Sequence, residues 1–304
     1  MSEHWRQRPE GGGRFGLWLI FTIARGCGRR VTRLLLYPVT LYFYLRRGHE
    51  RHAARVLLAR LTGRSGPWQV LAHMFRFAAT LLDRVFFLIR GEDGFAIDVH
   101  GLEALETRLD RGDGVLLVGA HMGSFEVLRT LAARRPDVPL HIVLNTRQTP
   151  VMTALLERLA PDVAARIIDG AGDPTRTVLA LAEVLQRGHM AALLADRGRP
   201  DERMRRVPFC GVPAPFPVGP WLLASVLRVP VVLCLGLYLG GNRYRLVFEP
   251  FADRVEIPRR DRDAALDAVL TRYAARLEHH ARQTPCNWFN FYDFWDESPG
   301  GRGL

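Results

Sequence analysis

The sequence predicts an α/β protein with a mainly parallel or mixed central sheet flanked by helices. Short apolar runs bounded by glycine or proline, typical of buried strands, alternate with segments of helical periodicity from residue 95 onwards. Because this alternation is typical of βα units, we expect mostly parallel strands covered by helices. With 304 residues, 48% of them hydrophobic, the chain can bury one large core or two small ones.

The elements follow in order from these patterns. Apolar residues recur at helical spacing in residues 48–89, which predicts two or three helices. Residues 95–99 alternate, whereas residues 115–118 form a continuous apolar run between glycines, which predicts a buried strand. Proline ends the helix predicted at 124–134 and begins the one at 174–187. Further strands are predicted at 141–144, 167–168, 190–195, 230–239 and 243–249, and further helices at 102–110, 151–159, 221–227 and 262–282.

Residues 1–47 differ from the rest and are predicted to form a separate N-terminal segment, followed by one domain at 48–304. Two apolar, aromatic-rich blocks, 15–24 and 34–45, are flanked by arginines. Neither reaches the roughly 20 residues that span a bilayer, whereas aromatic and arginine side chains suit a helix at the headgroup level. We therefore expect a membrane-associated helical segment, with a helical hairpin packed on the domain as the alternative. No signal-peptide cleavage site follows the first block.

Charge and cysteine usage limit the partners and the compartment. The net charge is +11, and all 42 basic residues are arginine because the chain contains no lysine. Arginine binds phosphate and carboxylate groups bidentately, which suits an anionic lipid surface or a phosphorylated carrier. Nucleic acid is not an expected partner, because the charges are spread along the chain without a recognition motif. Four widely spaced cysteines fit a reducing compartment.

The candidate chemistry begins directly after the strand at 115–118. The segment Gly119-Ala-His-Met-Gly-Ser-Phe-Glu126 delivers His121 at the carboxyl end of that strand and Glu126 at the start of a helix capped by Ser124. A turn between them would let Glu126 contact His121, fix its tautomer and raise its basicity. Gly123 is expected to leave room for a ligand, and both Gly123 and Ser124 are candidate substrate-binding residues. The alternative is a histidine in a turn beside a glutamate that caps a helix.

Two other strand ends carry polar residues that are predicted to share this edge and contact the substrate. They are Asn145 with Arg147, and Asp196 with Arg197. The segment 207–220 is apolar, but its prolines argue against a regular helix or a central strand. It is predicted to be an irregular loop that lines an acyl-chain channel, with packing over the core as the alternative. Its candidate substrate-binding residues are Phe209, Gly211, Phe216, Gly219 and Pro220.

The aromatic tail at 287–295 is exposed by its position in the chain. Three arrangements are open for it: it could cap the mouth of the site, touch lipid, or pack on the sheet. The sequence alone does not separate them.

The His-x4-Glu segment resembles the corresponding block of the lysophospholipid acyltransferase superfamily, and more narrowly the late lipid A acyltransferases of the lauroyl/myristoyl type. The resemblance extends through Leu-Leu-Tyr-Pro38, Ala195-Asp196 and the Val207–Pro220 segment, in that order. It implies a glycerolipid acyltransferase-like fold. The closing Trp-Phe-Asn-Phe-Tyr-Asp-Phe-Trp295 resembles the branch found with glycosyltransferases or in aryl-polyene pathways, which need not acylate lipid A.

The resemblance implies an O-acyltransferase at the cytoplasmic face of a bacterial inner membrane. His121 would be the general base, Glu126 would orient it, and Asp196 would be a further functional acid. The co-substrate would be a thioester of acyl carrier protein or coenzyme A, and the acceptor a hydroxyl of a membrane (glyco)lipid. Many relatives carry arginine where this chain has Asn145. No cofactor and no metal are expected, because His121 and Glu126 lack further ligands.

Two other functions are compatible with the sequence. A thioesterase or lipid hydrolase would pass the acyl group to water, and a lipid acceptor would then leave its products unchanged. A non-catalytic, basic, membrane-associated lipid binder would bind lipid regardless of His121 and would turn over no thioester. The acceptor, the donor carrier and the acyl-chain length are not encoded in any motif of the sequence.

Overall fold

The computed structural model describes residues 14–128, 135–147, 149–199 and 202–295. Its helices are α1 (Arg14–Arg46), α2 (Gly48–Thr62), α3 (Pro67–Arg90), α4 (Leu102–Asp110), α5 (Pro150–Leu159), α6 (Pro161–Ala164), α7 (Pro174–Gln186), α8 (Gly219–Leu227) and α9 (Arg262–Gln283), with a 3₁₀ helix at Phe125–Leu128. Its strands are β1 (Ala96–His100), β2 (Val115–Gly119), β3 (Leu140–Leu144), β4 (Ile167–Asp169), β5 (Met190–Leu194), β6 (Met204–Phe209), β7 (Val212–Pro217), β8 (Val231–Gly240) and β9 (Arg243–Ala252).

A seven-stranded sheet lies at the centre of the described residues, with the strand order β1-β9-β8-β2-β5-β3-β4. Every neighbouring pair is parallel except β8 and β9, which are antiparallel. The predicted α/β class with a mainly parallel sheet is confirmed. Strand β2 lies between β8 and β5, and all five of its residues are buried.

Helices cover both faces of this sheet. Leu116 and Val118 of β2 face a core formed with α7, α8 and α9, whereas Val115 and Leu117 face a second core formed with α3 and α4. Because successive strand residues point to opposite faces, a strand between two helical layers must be apolar at every position. This explains the uninterrupted apolar run in the sequence and fixes β2 as a rigid support for the residues that follow it.

The segment 207–220 is not the irregular loop that its prolines suggested. Strands β6 and β7 form an antiparallel hairpin outside the main sheet, joined by Cys210 and Gly211. Both residues have positive φ, 53° and 83°, as a tight two-residue hairpin turn requires. Pro213, Pro215 and Pro217 alternate along β7, so their nitrogens, which lack a hydrogen, lie on the same side of the strand. A two-stranded ribbon tolerates this because its outer edge forms no ladder.

The channel predicted along this segment is replaced by core packing. Phe209 and Phe216 are fully buried and pack edge-on against each other, with ring centroids 5.4 Å apart. Gly211 lies at the hairpin tip with open space around it. A cavity of about 310 Å³ lies nearby between α2 and the aromatic tail, and neither phenylalanine lines it.

Gly219 and Pro220 form the first turn of α8, and their predicted contact with substrate stays a prediction. The backbone N–H of Gly219 donates to Glu202 Oε1 at 3.1 Å, which satisfies one free donor of the helix end. A Cβ at Gly219 would lie 2.2 Å from the same oxygen, so glycine allows this close approach. Pro220 occupies the first turn, where its missing N–H costs nothing.

Helix α1 presents an apolar face to solvent and packs on α3 with the other. It bends at Gly28, whose φ of 71° and ψ of 172° are not helical. Thr32, Leu36 and Thr40, spaced four residues apart, are buried, whereas the side chains of Leu34 and Leu45 are each 65% exposed. Among the described residues, none of the helices has the length and apolar content needed to cross a bilayer.

Some of the arginines that flank the two apolar blocks of the N-terminal segment form contacts inside the protein. The guanidinium of Arg29 donates to both carboxylate oxygens of Asp83 at 2.7 Å, and Tyr244 Oη donates to the same carboxylate at 2.8 Å. Asp83 is fully buried in α3, so this bidentate pair ties α1 to the body of the protein. Arg29 is therefore not free for lipid headgroups, whereas Arg30 and Arg46 are exposed.

Candidate active site

The register of β2 and β5 brings His121 and Asp196 together. Gly119 pairs with Leu194 at the carboxyl ends of these parallel strands, and His121 and Asp196 each lie two residues further along. The two side chains therefore leave the same edge of the sheet, where open α/β folds place their ligands. Asn145 follows β3, which is separated from β2 by β5.

Three donors fix the carboxylate of Asp196. His121 Nδ1 lies 2.8 Å from Oδ1, and the backbone N–H of His121 donates to Oδ2 at 3.1 Å. Trp288 Nε1 donates to Oδ2 at 2.9 Å. Asp196 is fully buried, whereas the His121 side chain is 40% exposed. One edge of the imidazole is thus held inside the protein while the rest reaches solvent.

This contact defines the tautomer of His121. An ionised carboxylate only accepts hydrogen bonds, so Nδ1 carries the proton and Nε2 keeps its lone pair. Among the residues that the structure describes, none is hydrogen bonded to Nε2. The lone pair is therefore available to a substrate.

The electrostatic surroundings keep the pair in this state at neutral pH. Burial lowers the pKa of His121 and the nearby Arg197 lowers it further, while Asp196 opposes both effects. Burial on its own would raise the pKa of Asp196, but the charge and hydrogen bond of His121, with Arg197 and Trp288, hold it well below its usual range. A neutral imidazole beside an ionised carboxylate is the resting form of a general base.

The predicted contact between His121 and Glu126 is replaced by the one with Asp196. Ser124 Oγ donates to Glu126 Oε2 at 2.9 Å, and Glu126 Oε1 lies 2.6 Å from Arg84 Nε of α3. The 3₁₀ helix begins directly at Phe125, and this tight turn directs Glu126 towards α3. The remainder of the helix predicted at 124–134 lies outside the described residues. A catalytic role of Glu126 stays a prediction.

Gly123 and Ser124 form part of the scaffold. Gly123 has a φ of 68°, and a Cβ there would lie 2.0 Å from the carbonyl oxygen of Gly236 in β8. Glycine at this position therefore allows close backbone packing and does not leave open space for a ligand. Ser124 is 1% exposed, and its backbone N–H donates to the carbonyl of Gly236 at 2.8 Å. These contacts anchor the turn after His121 to the sheet.

The aromatic tail is built into the site. Of the three open arrangements, packing on the protein is the one observed, since Asn287 and Trp288 are fully buried. The side-chain amide of Asn287 accepts from the backbone N–H of Tyr238 in β8 at 2.6 Å and donates to the Tyr238 carbonyl at 3.0 Å. The backbone carbonyl of Asn287 accepts from the backbone N–H of Gly123. The backbone N–H of Phe289 donates to the carbonyl of His121 at 3.0 Å. The tail thus holds the histidine turn from outside.

Sequence reasoning missed Trp288 as a residue of the site. An indole N–H is a donor that needs a partner once it is buried. The only sequence signal was a tryptophan in an aromatic-rich tail.

Of the remaining candidates, Arg197 lies beside the pair, with its Nε 3.8 Å from Asp196 Oδ2. Arg197 is held by the tail, because its guanidinium donates to the carbonyl of Phe289 and lies 5.5 Å from the ring centre of Tyr292. Arg147 is exposed. The pKa of Asp169 is lowered mainly by the backbone N–H of Ala171, and the charge of Arg147 adds to this shift. The charge of Arg147 therefore lies near Asp169, at the end of β4.

The carboxyl edge of a parallel sheet, with a neutral imidazole oriented by a buried carboxylate, is typical of enzymes that activate a hydroxyl group. The sequence model of one family, described as bacterial lipid A biosynthesis acyltransferase, matches residues 69–296. This range covers more than half of the chain, so the protein belongs to that family and is an acyltransferase of the lipid A type. The resemblance stated from the motifs is confirmed. No curated protein matches the sequence.

Proposed function

We propose that the protein transfers a fatty acyl chain from a thioester of acyl carrier protein or coenzyme A to a hydroxyl of a membrane (glyco)lipid, with His121 as the general base. The family implies an acyl thioester donor and a lipid acceptor in general. The observation that carries the proposal is the arrangement of His121, with Nδ1 on buried Asp196 and Nε2 without a hydrogen bond to any described residue.

The reaction follows from this arrangement. Nε2 takes the proton of the acceptor hydroxyl as its oxygen bonds to the thioester carbon, and the carbonyl oxygen gains the negative charge. The tetrahedral intermediate then collapses, the carbon–sulfur bond breaks, and the imidazolium gives its proton to the leaving thiolate, which restores the neutral imidazole. Asp196 stabilises the imidazolium, which is the orienting role of the acid in a catalytic triad. The products are an ester and a free thiol.

Product analysis separates transfer from hydrolysis. Purified protein given a long-chain acyl thioester should form acylated lipid and free thiol in equal amounts when membrane lipid from the source bacterium is present. Without lipid acceptor, thiol release should fall to the slow background rate. Release of free fatty acid at an unchanged rate with and without acceptor would instead identify a hydrolase and contradict the proposal.

We further propose that the exposed face of α1 lies on the cytoplasmic face of the inner membrane. The supporting observations are the exposed Leu34, Leu45 and Trp68, the last 81% exposed at the start of α3, and the exposed Arg30 and Arg46. Apolar side chains between arginines suit an anionic headgroup layer.

Vesicle binding tests this second proposal. Replacing Leu34 and Leu45 together with glutamate should weaken sedimentation with anionic phosphatidylglycerol vesicles at least about tenfold, because two buried apolar contacts are lost and two repelled charges added. The double replacement of the exposed Leu179 and Val226 with glutamate, away from α1, is the matched control. Equal loss of binding in both double variants would contradict an α1-specific surface.

A further inference from the structure

Among the described residues, Arg84 is the cation that lies against the motif glutamate, Glu126. Its Nε lies 2.6 Å from Glu126 Oε1, and the second carboxylate oxygen is occupied by Ser124 Oγ. The Glu126 side chain is 12% exposed and that of Arg84 is 28% exposed. Arg84 and Glu126 thus form a close, largely buried ion pair in which Arg84 Nε makes no hydrogen bond.

Packing brings the helix that carries Arg84 against the turn that carries Glu126. Helix α3 lies against the 3₁₀ helix, with Leu82 and Phe86 in the same core as Val127 and Leu128. Within the described parts of the chain, the two terminal nitrogens of Arg84 form no hydrogen bond. The guanidinium is close enough to His121 for its charge to contribute to the lowered pKa of the imidazole, after burial and Arg197.

A cation beside a general base makes protonation of that base less favourable, unless negative charge forms nearby at the same time. Arg84 opposes the imidazolium that His121 becomes when it accepts a proton. The same charge is favourable in a transition state that places an oxyanion next to the imidazolium. In acyl transfer the thioester carbonyl oxygen becomes such an oxyanion when the acceptor oxygen bonds to the carbonyl carbon, and it becomes a carbonyl again when the carbon–sulfur bond breaks.

We propose that Arg84 is a catalytic residue whose terminal N–H groups donate to the thioester oxyanion, and that Glu126 is the residue that positions Arg84. This inference rests on the proposed function and deepens it. It gives Glu126 a role other than orienting His121, because Asp196 already orients His121 in the structure.

Steady-state kinetics with an acyl thioester and lipid acceptor test the role of Arg84. Arg84→Gln should lower kcat about 10²–10³-fold with little change in KM, because the lost donors act on the oxyanion and not on the bound thioester. Arg84→Lys, which keeps the charge, should recover part of the loss. Arg90→Gln, on the exposed end of the same helix, should behave as wild type. A raised KM at unchanged kcat would show ground-state binding of an anionic group and overturn the proposal.

The role of Glu126 is tested by coupling and by pH. Glu126→Gln should lower kcat, and the double variant with Arg84→Gln should be no slower than Arg84→Gln alone. The acidic limb of the kcat/KM profile should move far less in Glu126→Gln than in Asp196→Asn. Additive losses of kcat in the double variant would show that Glu126 acts on His121 and not on Arg84. An acidic limb that moves equally in Glu126→Gln and Asp196→Asn would show the same. If Arg84→Gln is fully active while His121→Ala is inactive, only this inference fails; if His121→Ala is also active, the proposed function fails.

Discussion

His121→Ala should lower kcat/KM for acyl transfer by about 10²–10⁴-fold, the contribution expected of a positioned general base. Without the imidazole, no described group with an open lone pair lies against the Asp196 carboxylate to accept the hydroxyl proton. The fold should persist, because the side chain is 40% exposed and fills no core position. The measurement is the initial rate of ester formation, with thermal unfolding followed by circular dichroism to confirm the fold.

His100→Ala serves as the control for this experiment. His100 also lies against a carboxylate, with Nε2 2.7 Å from Asp98 Oδ2. Its side chain, however, is 51% exposed at the end of β1, the edge strand of the sheet. Its replacement should leave the rate within about twofold of wild type, since exposed pairs of this kind contribute little. Near wild-type turnover in His121→Ala would remove the base from the mechanism.

Asp196→Asn should lower kcat/KM at least about 10²-fold. The amide cannot stabilise the imidazolium, and its NH₂ group can favour the wrong tautomer of His121. The sign of the pH effect is definite. Asp196 raises the pKa of His121, so its neutralisation should lower that pKa further. Because activity needs the neutral imidazole, the acidic limb of kcat/KM should move to lower pH in the variant.

Asp169→Asn is the matched control for this second variant. Asp169 ends β4 at the same edge of the sheet and accepts from Thr146 Oγ1 at 2.8 Å, away from His121. Its neutralisation should leave both the rate and the acidic limb unchanged. If the acidic limb of kcat/KM moved to higher pH in Asp196→Asn, or if this variant were as fast as Asp169→Asn, the pairing of His121 with Asp196 would be contradicted.

Much of the sheet was predictable because burial on both faces leaves a strong signal. The continuous apolar run at 115–118 corresponds to β2 and the run at 190–195 to β5. The hairpin of β6 and β7 was not predictable, because proline weighs against a strand unless its pairing edge is known. Only the pairing with β6 shows that the three alternating prolines of β7 have their nitrogens on the edge away from β6.

The chemistry of the site was predictable by residue type but not by partner. His121 and Asp196 were both expected at one sheet edge, yet their contact depends on β2 and β5 being neighbours, which no local pattern specifies. Trp288 reaches Asp196 across 92 residues of sequence. Glu126 was nearer in sequence, but the 3₁₀ turn after Gly123 directs it to Arg84.

The protonation state of His121 tests the central claim most directly. Nitrogen-15 NMR of histidine-labelled protein, with the His121 signals assigned by their loss in His121→Gln, reports both ring nitrogens. We expect a protonated Nδ1 and an unprotonated Nε2 at pH 7, with a pKa of His121 below the ordinary value of 6.5. A protonated Nε2, or an imidazolium at pH 7, would contradict it.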